Sequence, residues 1–249
     1  MDLRMEIKRV FFPGWDPLLR ARQRLVRHFI EGDVSTLDAG CGNGAFSLAA
    51  YNLGNKVLGI NINADQVKRC EEYAEYVGAN PARLGFVVHN IYNLPALGTE
   101  FDQIVCFEVL EHLERDQDAL RLFADRLRRG GVLHLCVPNA ECSLNAAEQV
   151  STVEDGRHMR IGYKIDELEQ MLRQAGLDPI RRDSAGRGGC ILATRIHRWL
   201  SNGIWDRVPD PFRSSGHVIT LIGLSPLRLL DWMIPASPFA IYVAARKSG

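Results

Sequence analysis

The segment Val34–Ala45, VSTLDAGCGNGA, constrains the fold of this chain more than any other stretch. A short apolar run ends in Asp38, and glycines follow at alternate positions from Gly40 to Gly44 before a helix-forming stretch. Glycines are needed where the backbone has a positive φ or where a ligand lies against it. The first turn of a helix offers N–H groups and a partial positive charge to an anion. The order of strand, glycine turn and helix therefore predicts a nucleotide-type cofactor site.

Strand and helix patterns alternate along the whole chain. The predicted strands are Val34–Leu37, Lys56–Asn61, Leu84–His89, Phe101–Phe107, Val132–Val137, Leu177–Arg182 and Phe239–Ala245. The predicted helices are Trp15–Glu31 (closed by Gly32), Ala45–Ala50, Asn63–Val77, Arg115–Arg128, Ile165–Gln174 and Cys190–Leu200. Asn63 and Gln66 have the spacing of a capping box. Continuous apolar strands that alternate with helices indicate an α/β fold with a parallel sheet covered on both faces.

The composition narrows the class of protein. The 249 residues contain 30 lysines and arginines against 30 aspartates and glutamates, so no nucleic-acid partner is expected. Six scattered cysteines without C-x-x-C spacing predict buried, reduced thiols. We find no signal peptide pattern and no apolar run of about 20 residues, the length of a spanning helix. We therefore expect a cytoplasmic protein without a membrane span.

The glycine turn by itself leaves two cofactors open. Gly40-x-Gly42-x-x-Ala45 also fits the dinucleotide fingerprint, which keeps an NAD(P)-dependent Rossmann oxidoreductase as an alternative. Against it, Asp38 directly precedes the turn, where it would repel a pyrophosphate and attract a cation. The acidic residue that binds the ribose of NAD is also absent, because the second strand ends in Asn61.

Several motifs in order carry a resemblance to a known family. LDAGCGNG, GININ, FDQIVCFEVLEHL and LRRGGVLHLCVPN, followed by RHMRIGYKIDELEQMLRQAGL, resemble the class I S-adenosylmethionine-dependent methyltransferases. The branch most similar is the small-molecule one, which includes ubiquinone-biosynthesis O-methyltransferases and sterol methyltransferases. The resemblance covers about Val34 to Asn139. It implies a Rossmann-like, seven-stranded, mostly parallel sheet in the order 3-2-1-4-5-7-6, with the last strand antiparallel.

The resemblance also implies a cofactor and an activity. S-adenosyl-L-methionine would donate a methyl group to a small, partly apolar acceptor, by O-methylation in the first place, with N- and C-methylation left open. A non-catalytic module that only binds S-adenosylmethionine is the second alternative. The residues implied in cofactor binding are Asp38, Gly40, Gly42, Asn61, Ile62, Gln66, Asn90, Ile91 and Phe107. Asn61 and Asn90 stand where the family usually has acids, which costs on the order of 1 kcal/mol per hydrogen bond.

His112 and His158 are the candidate catalytic residues. A hydroxyl or amine acceptor loses a proton on methylation, and histidine is the commonest general base. The alternatives are a structural hydrogen-bonding role for His112 and a solvated loop position for His158. No metal is assigned, but Glu108, Glu111, His112 and His158 form an oxygen and imidazole set that suits a divalent cation, as in some relatives.

We expect a single methyltransferase domain over residues 1–249. It divides into an N-terminal helical flap (1–33), a cofactor-binding core (34–184), a lid or substrate insertion (185–236) and a closing strand (237–249). The apolar residues of the insertion line a substrate pocket, form a homodimer face or belong to the core; sequence alone does not choose among these.

Overall fold

Seven strands form one sheet, and helices alternate with most of the strands along the chain. The structure is a computed structural model that describes residues 16–146, 149–204, 207–208 and 212–248. The strands are β1 Ser35–Ala39, β2 Lys56–Asn61, β3 Leu84–Val88, β4 Phe101–Phe107, β5 Leu127–Pro138, β6 Leu177–Ala185 and β7 Ala240–Lys247. The helices are α1 Pro17–Phe29, α2 Ala45–Asn52, α3 Ala64–Tyr76, α4 Asp116–Arg126, α5 Ile165–Gln174, α6 Gly188–Gly203 and α7 Phe212–Leu224. Short 3-10 helices lie at Ile91–Leu97, Leu110–His112 and Ser225–Leu230.

The strand order β3-β2-β1-β4-β5-β7-β6 confirms the predicted topology. The strands β1 to β5 pair in parallel, and β7 runs antiparallel to both β5 and β6. Parallel strands end at a common edge of the sheet, so the residues that follow β1, β2, β3 and β4 are brought together there.

Alternate side chains of the central strands pack into two apolar layers, one on each face of the sheet. On β4, Ile104 and Cys106 pack with α4 and α5, whereas Val105 and Phe107 pack with α1 and α6. Side chains of successive strand residues point to opposite faces of a sheet, so a strand buried on both sides is apolar throughout. All six cysteines are buried and form no disulfide. The described part of the chain has no helix that is long and apolar enough to cross a membrane.

The predicted boundary between α4 and β5 is wrong. The helix ends at Arg126 rather than at the glycine pair, and β5 begins at Leu127, which pairs with Phe101 of β4. Gly130 has a φ of 76°, and a Cβ on Gly131 would lie 2.8 Å from the carbonyl oxygen of Asp102. The two glycines therefore permit an irregular strand that approaches its neighbour closely.

The first helix is shorter than predicted. Asp16 caps it by accepting from the N–H of Leu18 over 2.9 Å, and Pro17 occupies the first turn. The predicted start at Trp15 lies outside the described residues. At the other end the helix stops at Phe29, before Gly32.

The start of α6 is tightly packed against the Ser225–Leu230 turn and the residues after it. A Cβ on Gly188 would lie 2.1 Å from the carbonyl oxygen of Ile234, and one on Gly189 would lie 2.0 Å from that of Leu227. Only glycine allows the two backbones to approach so closely. The segment from α6 to Ile234 is therefore a packed unit in its own right.

Candidate active site

The glycine turn after β1 has the backbone that its sequence predicts. Gly40, Gly42 and Gly44 have φ angles of 82°, 53° and 79°. A Cβ on Gly40 would lie 2.4 Å from Val109 Cγ2, so a side chain there would collide with the segment that follows β4. The N–H groups of Gly40 and Cys41 both donate to the carbonyl of Ile60, which ties the turn to the end of β2.

A cleft of about 670 Å³ opens at this edge of the sheet. Its lining comes from Gly40, Gly42, Ile60, Asn61, Ile62, Asn63, Gln66, His89, Asn90, Ile91, Glu108, Val109, His112, Leu113, Glu154, Asp155 and Gly156. The structure thus brings together eight residues that the sequence nominated for cofactor binding or catalysis, from the ends of four different strands. Asp38, Phe107 and His158 are nominated for the same roles and do not line the cleft.

Two amide side chains meet at the end of β2. Asn61 Nδ2 donates to Gln66 Oε1 over 2.9 Å, while Asn61 Oδ1 accepts from the N–H of Asn63. Asn63 caps α3 as predicted, since its Oδ1 accepts from the N–H of Gln66. The second half of the predicted capping box is wrong, because the Gln66 side chain turns to Asn61 instead of to the Asn63 N–H. This pair therefore presents amide groups to the cleft.

At the end of β3, Asn90 caps the following 3-10 helix. Its Oδ1 accepts from the N–H of Tyr92 over 2.9 Å, which leaves the oxygen one further lone pair for a ligand. Ile91 is buried beside it, whereas Ile62 is 68% exposed at the mouth of the cleft. The two isoleucines give this end of the cleft apolar surface on which a planar ring can lie.

Asp38 and Phe107 lie behind the cleft. Asp38 is buried and accepts from the hydroxyl of Ser47 in α2. Burial raises the pKa of Asp38 to about 6, although the Ser47 hydrogen bond opposes the shift. The ring of Phe107 packs edge-on against Phe46, with centroids 4.9 Å apart. Any influence of these two residues on a ligand is therefore exerted from behind the lining.

Glu108 lines the cleft with a strained backbone. Its φ is 57°, which is uncommon for a residue other than glycine and is concentrated at functional sites. Its carboxylate accepts from Arg22 of α1 over 2.9 Å, and both side chains are largely buried, at 22% and 12% exposure. Sequence reasoning missed Arg22, which is one of several arginines on that helix and carries no local signal.

Glu111, His112 and His158 form a compact cluster beside Glu108. The Glu111 carboxylate is fully buried, and its Oε1 lies 3.9 Å from His112 Nε2 and 4.0 Å from His158 Nε2. Each residue offers one potential metal-ligand atom, and these three atoms all lie within 4.8 Å of one another. Glu108 does not belong to this cluster, because its carboxylate is directed to Arg22. Of the four residues nominated for a cation, the structure brings three together.

The polar loop after β5 covers one side of the cleft. Glu154, Asp155 and Gly156 line it. Glu154 Oε2 accepts from the hydroxyl of Tyr92 and from the N–H of Glu114, which holds the loop across the ends of β3 and β4. The sequence analysis did not nominate Glu154. The segment expected as a lid, 185–236, contributes none of the lining within the residues that the structure describes.

Comparison with known proteins finds similar methyltransferases. Residues 37–135 match the model of a methyltransferase domain. A probable S-adenosylmethionine-dependent methyltransferase of Mycolicibacterium smegmatis is 26% identical over 199 residues, 74% of this chain and 71% of that protein. A ubiquinone biosynthesis O-methyltransferase of Xanthomonas axonopodis pv. citri is 30% identical over 149 residues, 57% of this chain and 61% of that protein. The match spans only 26% of a further relative, from Synechococcus.

A solved structure agrees in fold. The magnesium protoporphyrin IX methyltransferase of Synechocystis PCC 6803, with bound SAH, superposes with a TM-score of 0.59 at 16% identity, over 93% of this chain and 86% of that one. Residues 37–135 thus match a methyltransferase domain, and the relatives include S-adenosylmethionine-dependent methyltransferases. These similarities support S-adenosylmethionine as the cofactor over the NAD(P) alternative.

Proposed function

We propose that this protein transfers a methyl group from S-adenosylmethionine to a hydroxyl of a small, partly apolar acceptor. One observation carries the proposal: a single cleft joins the glycine turn and the amide side chains of β2 and β3 to the acidic and imidazole groups that follow β4. The first half suits a nucleoside, and the second half suits an acceptor that loses a proton. The O-methyltransferase among the relatives supports the choice of oxygen.

The residues of the first half fit the cofactor. Gly40 and Gly42 allow its methionine and ribose parts to lie against the backbone. A side chain on Gly40 would collide with Val109, and Gly42 has a φ of 53° that favours glycine. Asn61, Gln66 and Asn90 supply hydrogen-bonding groups for the ribose and the adenine. The buried Asp38 carboxylate adds a negative charge that attracts the amino group of the methionine part. When bound, the cofactor supplies an electrophilic methyl group on a sulfonium.

The second half contains the groups that receive the acceptor and its proton. Val109 and Leu113 give this end apolar surface, which supports a partly apolar acceptor. His112 lines the cleft, and its ring centroid lies 4.6 Å from that of His158. We assign general-base function to this pair, with His112 at the acceptor and His158 behind it. The buried Glu111 carboxylate, about 4 Å from both Nε2 atoms, would stabilise the positive charge that develops on the rings.

The same three residues fit a divalent cation. Two imidazole nitrogens and one buried carboxylate are ligands of Zn²⁺ or Mn²⁺ more than of Mg²⁺, which prefers oxygen. Their mutual distances leave room for bonds of about 2.0–2.3 Å to a shared ion. A bound ion would lower the pKa of an acceptor hydroxyl that coordinates it. Such an ion would be an alternative to the histidine base, because imidazole nitrogens that bind the ion cannot also accept the proton of the acceptor.

Thermal unfolding with S-adenosylmethionine, S-adenosylhomocysteine, NAD⁺ or NADP⁺ tests the cofactor first. A ligand at about 100 times its dissociation constant stabilises by roughly 2.7 kcal/mol, which is easily observed. We expect a raised midpoint with the two sulfur-containing ligands only. Phenolic and other hydroxylated acceptors are then screened by release of S-adenosylhomocysteine. Cofactor binding without turnover on any acceptor would favour the non-catalytic module.

Metal analysis and EDTA treatment test the cation separately. If the cation alternative holds, the purified protein contains about one equivalent of Zn²⁺ or Mn²⁺ and the E111Q variant loses it. Full turnover after EDTA treatment, with no metal in the protein, would remove the cation and leave the histidine base intact.

A further inference from the structure

The outer side of α6, α7 and the turn that follows is unusually apolar. Ten of the sixteen large apolar side chains that are exposed in the described part of the chain lie between residues 192 and 233. They are Leu192, Trp199, Ile204, Val218, Ile219, Ile222, Leu229, Leu230, Trp232 and Met233, which we call the α6–α7 surface. Trp232 is 81% exposed and Trp199 is 74% exposed. Large exposed apolar patches mark sites of interaction with proteins or membranes.

These side chains share one packed unit. Leu192 and Trp199 are seven residues apart on α6, so they lie on one stripe of that helix. The α7 helix packs against α6, where Ser201 Oγ and His217 Nδ1 are 3.1 Å apart. The Ser225–Leu230 turn packs against the start of α6. The exposed residues of the three elements therefore form the outer layer of the same unit, outside the cofactor cleft.

The same unit is positively charged, although the whole chain is neutral. Its exposed arginines are Arg187, Arg195, Arg198, Arg207 and Arg228. Among the described residues between 187 and 234 the sole acid is Asp231, which turns inward and accepts from the N–H and the thiol of Cys190. The sequence from 187 to 234 contains six arginines and three aspartates, so the apolar side chains belong to a segment with an excess of positive charge. This combination matches an anionic and partly apolar partner.

We propose that the α6–α7 surface docks on a lipid bilayer that contains anionic phospholipids. Tryptophan and long aliphatic side chains enter the boundary between headgroups and acyl chains, and arginines contact the phosphates around them. A second copy of this chain is the competing occupant. A twofold interface would place the patch against itself, and it would bring the excess positive charge of the two copies together. Charge complementarity therefore selects the anionic bilayer. The docking does not depend on the proposed methyl transfer.

Co-sedimentation of the full chain with vesicles tests this proposal. The two compositions are phosphatidylcholine alone and phosphatidylcholine with about one third phosphatidylglycerol. We expect stronger binding to the anionic vesicles, with a decrease as salt is raised. The W199E/W232E variant should bind at least about tenfold more weakly to both compositions. The R198Q/R228Q variant should lose about thirtyfold on the anionic vesicles alone, since each arginine near such a surface contributes about fivefold.

V88E is the matched control. Val88 is 54% exposed on the edge strand β3 and does not belong to the α6–α7 surface. It should bind vesicles like the wild type. Circular dichroism melting establishes that each variant is folded, as expected for exposed positions. Absence of binding to either vesicle, or equal binding by W199E/W232E and wild type, would overturn the proposal. So would a wild-type dimer in sedimentation velocity that W199E/W232E dissociates, because the surface would then belong to self-association.

Discussion

Arg22 in the first helix donates to Glu108, the residue that follows β4, over 2.9 Å. The pair joins the N-terminal helix to the reactive end of the cleft across 86 positions of sequence. Glu108 is also the one non-glycine residue of the described cleft lining that has a positive φ. The N-terminal helix therefore helps to position the acidic wall of the site through a buried ion pair, rather than only covering the cofactor.

Replacing Arg22 should destabilise the fold. In R22Q the Glu108 carboxylate keeps its charge and loses its guanidinium partner, and breaking a buried ion pair in this way costs about 3 kcal/mol. Urea unfolding at pH 7 measures the change. The double variant R22Q/E108Q should recover most of the loss because no buried charge remains. The control is R24Q, at an exposed position of the same helix, which should stay within about 0.5 kcal/mol of wild type. Equal stabilities of R22Q and R24Q would contradict this role.

Asp38 should give the stability a distinctive pH dependence. Burial raises the pKa of Asp38 from 3.8 to about 6 in the folded chain. Between about pH 4 and pH 6 the folded chain then binds more protons than the unfolded chain, so this group makes the free energy of unfolding fall as pH rises. The D38N variant lacks the titration and still accepts from Ser47.

Relative to wild type, D38N should therefore gain about 2.4 kcal/mol between pH 4 and pH 7. Urea unfolding of both proteins across this range measures the difference. A constant difference at all pH values would show that Asp38 keeps its ordinary pKa in the folded chain.

Restoring the acid at the end of β2 should strengthen cofactor binding. In N61D a carboxylate can accept from both ribose hydroxyls with charge assistance, worth on the order of 1 kcal/mol or about fivefold in affinity. The Gln66 amide can rotate so that its Nε2 donates to the new carboxylate. Titration calorimetry with S-adenosylhomocysteine gives the affinity. The same exchange at exposed Asn80 (N80D) is the control and should change nothing. A weaker complex for N61D would mean that the amide pair itself is the better ribose site.

The histidine pair should affect turnover and not cofactor binding. With an acceptor found in the screen, H112N and H158N should each lower kcat by about a hundredfold or more, the usual contribution of a general base. The affinity for S-adenosylhomocysteine should remain within about threefold of wild type. H89N is the matched control, since His89 also lines the cleft and contacts the carbonyl of Asn93 instead. Equal losses of kcat in H89N and H158N would count against the proposed base.

Local patterns were sufficient for the scaffold. The glycine turn, the cap of α3 by Asn63 and the strands of the sheet follow from residues that are neighbours in the chain. The resemblance added the order of the strands. Errors occurred where a local signal has two meanings, as at Gly130 and Gly131, which end a helix by pattern but lie within β5. Only the pairing of Leu127 with Phe101 resolves that ambiguity.

Local patterns left three roles open for segment 185–236: a pocket lining, a dimer face or core packing. An apolar segment of fifty residues was a reasonable candidate for a pocket lining, but burial depends on what packs above a side chain. The described part of that segment packs on itself through Gly188 and Gly189 and leaves Trp199 and Trp232 outside. The polar loop with Glu154 covers the cleft instead, because Tyr92 and Glu114 bind its carboxylate.

The sequence by itself determined the class of fold, the turn that approaches the cofactor and most of the polar groups around it, since these follow directly from strand ends. The tertiary structure decided which distant residues meet: Arg22 with Glu108, Glu111 with His158, and Glu154 with Tyr92. The physical reason is that such contacts depend on how helices and loops pack over the sheet. That packing places residues tens of positions apart within a few ångströms, and no periodicity in the chain encodes those distances.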